Sequence, residues 1–190
     1  MRQAVVLGGG LLGLEAAKAV YDLPTVKHVT IIHRQAFPLS RQLDAQGGEI
    51  VLRRIEGMGV RFLGSTSVAR LLRDQSGALC GLELTDGSTI DCNIVIFSIG
   101  ITPRDDVARS AGLACVPRGG IVVDDYLKTS AENVYAIGEC ASWKNNTYGL
   151  IAPGIEMADI LAFNFTQAQT DVGSFKPRQM VCDSRCNAHD

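Results

Sequence analysis

The sequence predicts an α/β fold: a parallel sheet with a β-meander, followed by part of a second α/β unit. Two observations indicate this class. Fully apolar segments such as residues 29–32 alternate with segments of helical periodicity, which is typical of a parallel sheet with crossover helices. Between residues 65 and 93, short apolar runs are instead separated by Asp-Gly-type turns, which indicates antiparallel strands.

The first third of the chain predicts three strands and two helices. In order they are strand 3–7, helix 11–23, strand 29–32, helix 43–58 and strand 60–63. Pro24 ends the first helix because it cannot continue the backbone hydrogen bonds, and Gly59 closes the second. The short apolar strands indicate a sheet that is buried on both faces.

The remaining chain predicts a meander and then shorter elements. They are strands 68–73, 79–84 and 88–91, strand 93–98, helix 105–110, strands 121–123 and 134–137, and helix 155–169. Residues 142–149 are expected to form a polar loop. Residues 171–190 have no periodicity and few apolar residues, so we expect a largely disordered tail.

Composition excludes several classes of function. The 190 residues carry a formal net charge of −2, which argues against a nucleic-acid or membrane-surface partner. No apolar run approaches the ~20 residues that span a bilayer. The apolar stretch at the start is too short for a signal peptide, so we expect a cytoplasmic protein whose six cysteines are reduced.

The motif with the clearest chemistry is Gly8-Gly9-Gly10-Leu11-Leu12-Gly13, which fits G-x-G-x-x-G between a predicted strand and helix. Gly8 permits the tight turn, Gly10 lets the backbone approach a pyrophosphate, and Gly13 brings helix and strand together. Amides at the helix start, including those of Leu11 and Leu12, point at the phosphates. The alternative is a merely glycine-rich turn. The context predicts a Rossmann-like dinucleotide site.

The end of the second strand bears on which nicotinamide cofactor is bound. NAD sites place an acidic residue there to hold the ribose hydroxyls, whereas this chain has His33 and Arg34, followed by Arg41. Arginine binds a 2′-phosphate that a carboxylate would repel. The sequence therefore leans towards NADPH, or tolerance of both cofactors. Otherwise, His33 and Arg34 are solvated loop residues.

A second motif runs over residues 129–140 and ends in Gly138-Glu139-Cys140, after a short apolar segment. The carboxyl end of a strand is where doubly wound sheets bind ligands. The plainer interpretation is an ordinary strand with a polar end.

Together, the two motifs resemble the pyridine nucleotide-disulfide oxidoreductase class of flavoproteins, over about residues 4–169. Three segments are similar to the flavin module of assimilatory NAD(P)H nitrite reductase large subunits, with rubredoxin reductases next. They are Ser40-Arg41-Gln42-Leu43-Asp44, Gly119-Gly120-Ile121-Val122-Val123-Asp124 and Tyr135-Ala136-Ile137-Gly138-Glu139-Cys140-Ala141.

The resemblance implies roles for individual residues. Gly8, Gly10 and Gly13 would bind the nicotinamide dinucleotide, with Glu15 near the nicotinamide amide. Gly100 and Pro103 would mark the joint between a nicotinamide domain and a flavin domain. Gly138 and Glu139 would contact the ribityl chain or phosphate of FAD, and a helix from about Gly154 would point at the flavin ring. Glu15 and Glu139 are the candidate catalytic residues.

The sequence also departs from that class. It has one glycine fingerprint, so the N-terminal half that grips FAD is missing, and it has no Cys-x-x-x-x-Cys redox pair. Without iron-sulfur and sirohaem portions, this chain alone is not expected to reduce nitrite. Residues 134–137 would lose their strand partners, so we expect a second copy, a flavin-bearing partner or the helix from Ile155 to cover them.

These observations predict an NAD(P)H-binding domain over residues 1–100, the C-terminal part of a FAD-binding domain over 101–170, and the tail over 171–190. The chain would be part of a FAD-dependent oxidoreductase that passes hydride from NAD(P)H to flavin, with FAD bound only if a partner supplies the missing half. The alternatives are a cofactor-independent isomerase or cyclase, in which Glu139, Glu156 or Asp159 would act as acid or base, and a non-catalytic dimeric remnant.

The cysteines predict no metal site. Cys182, Cys186 and His189 have zinc-like spacing but provide only three ligands, where a structural zinc site needs four. Cys80 and Cys92 flank the predicted turn at Asp86-Gly87, and we expect them to face each other across strands as buried free thiols.

Overall fold

The computed structural model describes residues 2–166 and 173–176. These residues fall into two compact units, which divide between Ile99 and Gly100. Each unit has its own hydrophobic core. No helix within the described part of the chain is long and apolar enough to cross a membrane.

The first unit is a parallel four-stranded sheet with two helices and a meander, so the predicted α/β class is confirmed. Its elements are β1 (Arg2–Leu7), α1 (Leu11–Tyr21), β2 (Val26–Ile32), α2 (Ala45–Gly57), β3 (Arg61–Leu63), β4 (Val68–Arg73), β5 (Leu79–Leu84), β6 (Thr89–Asp91) and β7 (Ile94–Phe97). The sheet order is β3-β2-β1-β7, and all neighbours are parallel. The carboxyl ends of β1, β2 and β7 therefore meet at one edge.

Both helices end close to where the sequence predicts. Asp22 caps the C-terminal end of α1 and pairs with Lys18, two residues before Pro24. Asp44 precedes α2, and its side chain accepts a hydrogen bond of 2.8 Å from the backbone N–H of Gly47. This is the usual way to satisfy a free N–H at a helix start.

The buried C-terminal halves of β1 and β2 are apolar apart from Thr30, because the sheet is covered on both faces. On one face, Val6, Val29 and Ile31 pack with Ala17 of α1. On the other face, Val5 and Leu7 pack with residues of the meander, including Leu82. Since alternate residues of a strand point to opposite faces, β1 must be apolar at every central position.

The meander is confirmed as an antiparallel sheet in the order β4-β5-β6. Its two turns use Gly77 and Gly87, both with φ of +84°, a conformation that favours glycine. The side chains of Asp74 and Asp86 accept hydrogen bonds from backbone N–H groups within these turns.

The second unit consists of α3 (Asp106–Ser110), β8 (Ile121–Val123), β9 (Ala141–Trp143), β10 (Asn146–Thr147) and α4 (Ile151–Thr166), with a 3₁₀ turn at Gly138–Cys140. Its sheet has the order β10-β9-β8, with β8 and β9 parallel. A core of six buried residues underlies it: Val123, Leu127, Ala136, Ala141, Met157 and Phe175.

Two expectations for this unit were wrong. The predicted loop 142–149 contains β10 and part of β9, joined through Lys144 and Asn145, which both have positive φ. The predicted strand 134–137 forms only an isolated bridge between Tyr135 and Lys128. A strand requires a neighbour, and the described chain offers residues 134–137 only the short segment 127–129.

The helix expected from residue 155, with its start near Gly154, begins earlier, at Ile151. Pro153 stands in its first turn, where a missing N–H costs nothing. A proline that looks like a helix breaker in the sequence is therefore part of the helix start.

The predicted tail begins at residue 171, and residues 171–172 and 177–190 lie outside the described residues. Residues 173–176 pack against the second unit, so the expectation of a disordered tail does not apply to them. Phe175 is fully buried and meets Trp143 and Tyr148 edge to face, with ring centroids 5.5 and 5.8 Å away. The side chain of Asn164 in α4 both donates to and accepts from the backbone of Gly173.

Candidate functional site

The glycine motif forms the tight connection between β1 and α1. Gly8 has a φ of +115°, and a Cβ placed there would lie 2.1 Å from the carbonyl oxygen of Ser98. A Cβ on Gly13 would lie 1.9 Å from the carbonyl oxygen of Gly8. Any larger residue at either position would clash with backbone, so Gly8 and Gly13 are required for the close approach of strand and helix.

Gly10 differs from these two glycines. A Cβ built there would meet no protein atom within 4 Å, so no protein contact in the structure requires a glycine. Gly10 is also the N-cap of α1, and no side chain caps the helix. Open space beside uncapped helix N–H groups is what an approaching phosphate needs.

Leu11 and Leu12 form the first turn of α1 with side chains that are 42% and 55% exposed. Glu15 lies one turn further along α1, on the same side as Leu11, and its side chain is exposed. The structure therefore brings the predicted dinucleotide residues and Glu15 to one end of one helix.

His33, directly after β2, contacts the glycine motif. Its Nδ1 accepts a hydrogen bond of 3.1 Å from the backbone N–H of Gly9. Since Nδ1 accepts, the neutral ring carries its proton on Nε2, which lies 3.3 Å from Ser40 Oγ. Partial burial, helped by the charge of Arg34, lowers the pKa of His33 below 6.5 and favours this neutral form.

The loop after His33 folds back over the glycines. Leu39 donates its N–H to the carbonyl of Gly9 at 2.8 Å and has an unusual φ of +54°. Arg34 and Arg41 lie in this loop with exposed side chains. Sequence reasoning missed the contact of Leu39, because positive φ is rare for leucine and nothing in the local sequence indicates it.

The second candidate site lies wholly within the second unit, where the 3₁₀ turn meets α4. The N–H of Gly138 lies 3.3 Å from the sulfur of Met157, and a Cβ on Gly154 would be 3.4 Å from Gly138 Cα. A pocket of about 400 Å³ opens here with a nearly apolar lining. It is lined by Ile137, Gly138, Glu139, Leu150, Ile151, Gly154, Ile155 and Ala158.

Glu139 is exposed at this pocket, and Gly138 has a φ of +76°. Met157, which the sequence reasoning also missed, is fully buried, and its sulfur contacts the N–H of Gly138 in the 3₁₀ turn. The pocket lining is apolar apart from the Glu139 carboxylate, which suits an apolar part of a ligand better than a chain of phosphates.

Gly100 and Pro103 belong to neither arrangement. Gly100 is exposed with a φ of +117°, and no atom lies within 4 Å of a Cβ built on it. Pro103 packs near Gly119, where a Cβ would lie 3.1 Å from its Cδ. Among the described residues no group of three His, Cys, Asp or Glu could hold a metal, and Cys182, Cys186 and His189 lie outside them.

Comparison with known proteins identifies relatives of this chain. A nitrite reductase [NAD(P)H] from Neurospora crassa is 52% identical over 174 residues, which cover 86% of this chain and 15% of the relative. A rubredoxin-NAD(+) reductase from Acinetobacter baylyi is 32% identical, covering 90% of this chain and 42% of the relative. The chain thus spans less than half the length of either relative.

A solved structure also matches this chain over most of its length. A NAD-dependent persulfide reductase from A. fulgidus superposes with a TM-score of 0.80 and 26% identity, covering 92% of this chain and 32% of the other. The family model described as pyridine nucleotide-disulphide oxidoreductase matches residues 1–159. The resemblance noted from the sequence motifs is confirmed: this chain belongs to the pyridine nucleotide-disulphide oxidoreductase family.

Proposed function

We propose that the chain is the NAD(P)H-binding part of a flavin-dependent oxidoreductase. The observation that carries this proposal is the environment of Gly10. The position is free of protein contacts, yet it stands at the uncapped start of α1 between two glycines that the packing requires. Family members bind FAD and NAD(P)H, and these residues fit the pyrophosphate of the nicotinamide cofactor.

In this proposal the chain binds and orients the nicotinamide cofactor, and its own side chains do not react. The N–H groups of Leu11 and Leu12 and the α1 dipole hold the pyrophosphate. Glu15, one turn along, positions the nicotinamide amide by accepting its N–H. When bound, the nicotinamide supplies a hydride that the flavin accepts, so no acid or base from this chain is needed for that step.

We propose that the adenosine end of the cofactor lies against the loop after β2, and that NADPH is preferred. Arg34 and Arg41 are exposed in that loop and free to meet a 2′-phosphate. His33 is held in its neutral form by Gly9, so it offers the ribose a polar ring rather than a carboxylate.

FAD would be held only in part by this chain. Gly138 and Glu139 would contact the ribityl chain or phosphate of FAD, and the apolar pocket against α4 suits the ring end of the flavin. The described residues contain no second glycine motif for its pyrophosphate. Of the covers expected for residues 134–137, the helix α4 packs against part of the segment, with Phe165 on Tyr135 and Met157 beside Ala136, while Val134 stays exposed. We therefore propose a flavin-bearing partner, or a second copy of the chain, against the exposed part of residues 134–137. Homologues also work with partner proteins or other subunits, and we place the assembly in the cytoplasm.

A cofactor-free isomerase or a non-catalytic remnant is not favoured. A protein that had abandoned the nucleotide would have no reason to keep Gly10, where the structure leaves room for a side chain. The other glycines carry no such information because the packing alone requires them.

The proposal is tested by calorimetric titration of the purified chain with NADPH, NADH and FAD. We expect NAD(P)H to bind with a Kd in the micromolar range and FAD to bind weakly or not at all. Gly10→Asp should abolish NAD(P)H binding through repulsion of the phosphates and leave the unfolding midpoint unchanged. Gly57→Asp, at an equally open position in α2, is the matched control and should bind normally.

If neither NADPH nor NADH binds the wild-type chain, the nucleotide proposal is wrong. Equal binding by wild type and Gly10→Asp would show that the ligand lies elsewhere.

A further inference from the structure

Two cysteines lie directly opposite each other on the meander. Gly81 of β5 pairs with Asp91 of β6, and the N–H of the next residue, Cys92, donates to the carbonyl of Cys80 at 3.2 Å. Leu82 and Ile90, which are also paired, both pack into the core of the first unit. Because strand residues alternate in direction, Cys80 and Cys92 lie on this same face.

This pairing suits a disulfide. Hydrogen-bonded antiparallel residues have Cα atoms about 5.5 Å apart, close to the usual Cα separation of a disulfide. The pair stands at the end of the ladder, since β6 ends at Asp91 and the β4–β5 pairing is irregular next to Leu79. Small shifts that draw the two sulfur atoms together are therefore not resisted by further strand pairs.

The two thiols differ in access. Cys80 is exposed, whereas Cys92 is 1% exposed and packs in the core with Leu82. Burial raises the pKa of the Cys92 thiol, with smaller contributions from Cys80 and Asp91. A reagent from solution therefore meets Cys80 first, and Cys92 is placed to react only with its neighbour.

We propose that Cys80 and Cys92 form an oxidisable dithiol site, which low-molecular-weight disulfides such as glutathione disulfide convert into a cross-strand disulfide. In the first step the Cys80 thiolate attacks one sulfur of glutathione disulfide, whose S–S bond breaks to release one glutathione thiolate. In the second step the Cys92 thiolate attacks Cys80 Sγ and expels the second glutathione thiolate.

The exchange is balanced. The two cysteines lose two electrons and two protons, and glutathione disulfide gains them to become two molecules of glutathione. Because Cys92 must first lose a proton that its surroundings retain, the second step is the slower one and accelerates as the pH rises.

Digestion with trypsin provides a direct assay on the full-length chain. Residues 75–103 contain no Lys or Arg, so peptide 74–104 carries both cysteines and no others. The folded protein is incubated with glutathione disulfide at pH 8, denatured, alkylated with iodoacetamide, digested and analysed by mass spectrometry. We expect peptide 74–104 to be unalkylated and about 2 Da lighter than its reduced form.

The variants separate the two steps. Cys92→Ser should stop at a stable glutathione adduct on Cys80, and Cys80→Ser should leave Cys92 unmodified because that thiol is buried. Cys115→Ser, which removes a thiol of the second unit, should form the 80–92 link at the wild-type rate.

The wild-type experiment needs no substitution, so a variant that fails to fold does not affect it. A wild-type peptide 74–104 that is alkylated twice after incubation would overturn the proposal. A wild-type glutathione adduct on Cys80 that persists would overturn it as well.

Discussion

The hydrogen bond between Gly9 and His33 makes one contact of the glycine motif depend on pH. Nδ1 of His33 accepts from Gly9 only while the ring is neutral, and the surroundings lower the pKa of His33 below its usual 6.5. A lowered folded-state pKa means that protonation favours the unfolded chain. This contribution to stability is complete above pH 6.5 and is lost as the pH falls through the lower, folded-state pKa.

We expect His33→Asn to flatten that pH dependence, because the asparagine oxygen accepts from Gly9 at every pH. The wild-type free energy of unfolding should fall between pH 7 and pH 5 by the contribution of one partly screened hydrogen bond, about 1 kcal/mol or less. Thermal unfolding followed by circular dichroism measures this. The control is His28→Asn, which replaces an exposed histidine of β2. An identical pH profile for His33→Asn and wild type would contradict the role of this bond.

Arg34 determines the cofactor preference if the 2′-phosphate lies where we propose. Removing one charge-assisted contact should weaken NADPH binding about tenfold in Arg34→Ala and leave NADH binding unchanged. Calorimetry with both cofactors measures the ratio. Arg73→Ala, which removes an exposed arginine of the meander turn, should change neither. Equal losses of affinity for NADPH and NADH would mean that Arg34 contacts a part of the molecule that both cofactors share.

Residues such as Leu39 show why the site could be predicted only in part. The glycines and the residues after β2 follow from spacing, because a strand, a turn and a helix leave few positions for a phosphate. The bond from Leu39 to Gly9 joins residues 30 positions apart and needs a positive φ. No local pattern indicates such a contact.

At the scale of elements, α3 is held in place by a buried carboxylate. Asp105 precedes α3, and its side chain accepts from Nε and a terminal nitrogen of Arg109, at 2.9 and 2.8 Å, and from the N–H of Gly120 at 2.8 Å. These bonds, chiefly that from Arg109, lower the pKa of Asp105 below 3.8. The Asp105 side chain therefore ties α3 to Gly120, the residue before β8.

We expect Asp105→Asn to lower the unfolding midpoint by several degrees at pH 7, since an amide cannot pair with Arg109 and satisfy Gly120 as a carboxylate does. The difference from wild type should shrink as the pH falls through the lowered pKa of Asp105, where the wild-type carboxylate also becomes neutral. Asp106→Asn, at the exposed neighbouring position, is the control. Equal midpoints for the two variants at pH 7 would contradict this role.

Strands that pack against other elements on both faces could be predicted from the sequence, whereas short strands with few packing neighbours could not. The last four residues of β1 and of β2 lie between two packed faces, and all of them except Thr30 are apolar, which leaves one interpretation. In contrast, β9 has three residues and β10 has two, and the turn between them uses Lys144 and Asn145 rather than glycine. Residues 134–137 have strand-like composition, but pairing with another strand decides whether they form one.

At the scale of the whole molecule, the second unit exposes an apolar surface along α4. Ile151 is 81% exposed and Ile155 is 53% exposed, and both line the pocket beside Gly138. Phe165 at the far end of the helix is 63% exposed. Several large apolar side chains exposed on one helix indicate an interface or a ligand site. The chain spans 15% of the length of the nitrite reductase that it resembles.

We therefore expect the isolated chain to associate with itself through α4 when no flavin-bearing partner is present. Sedimentation velocity over increasing concentration should show a shift from the mass of one chain to that of two. Ile151→Glu should prevent the shift, because association would bury an unpaired charge. Val107→Glu, at an equally exposed position on α3, should associate like wild type. If the wild-type chain keeps the mass of one chain throughout, α4 is not a self-association surface, and the flavin-bearing partner becomes the only proposed occupant of that surface.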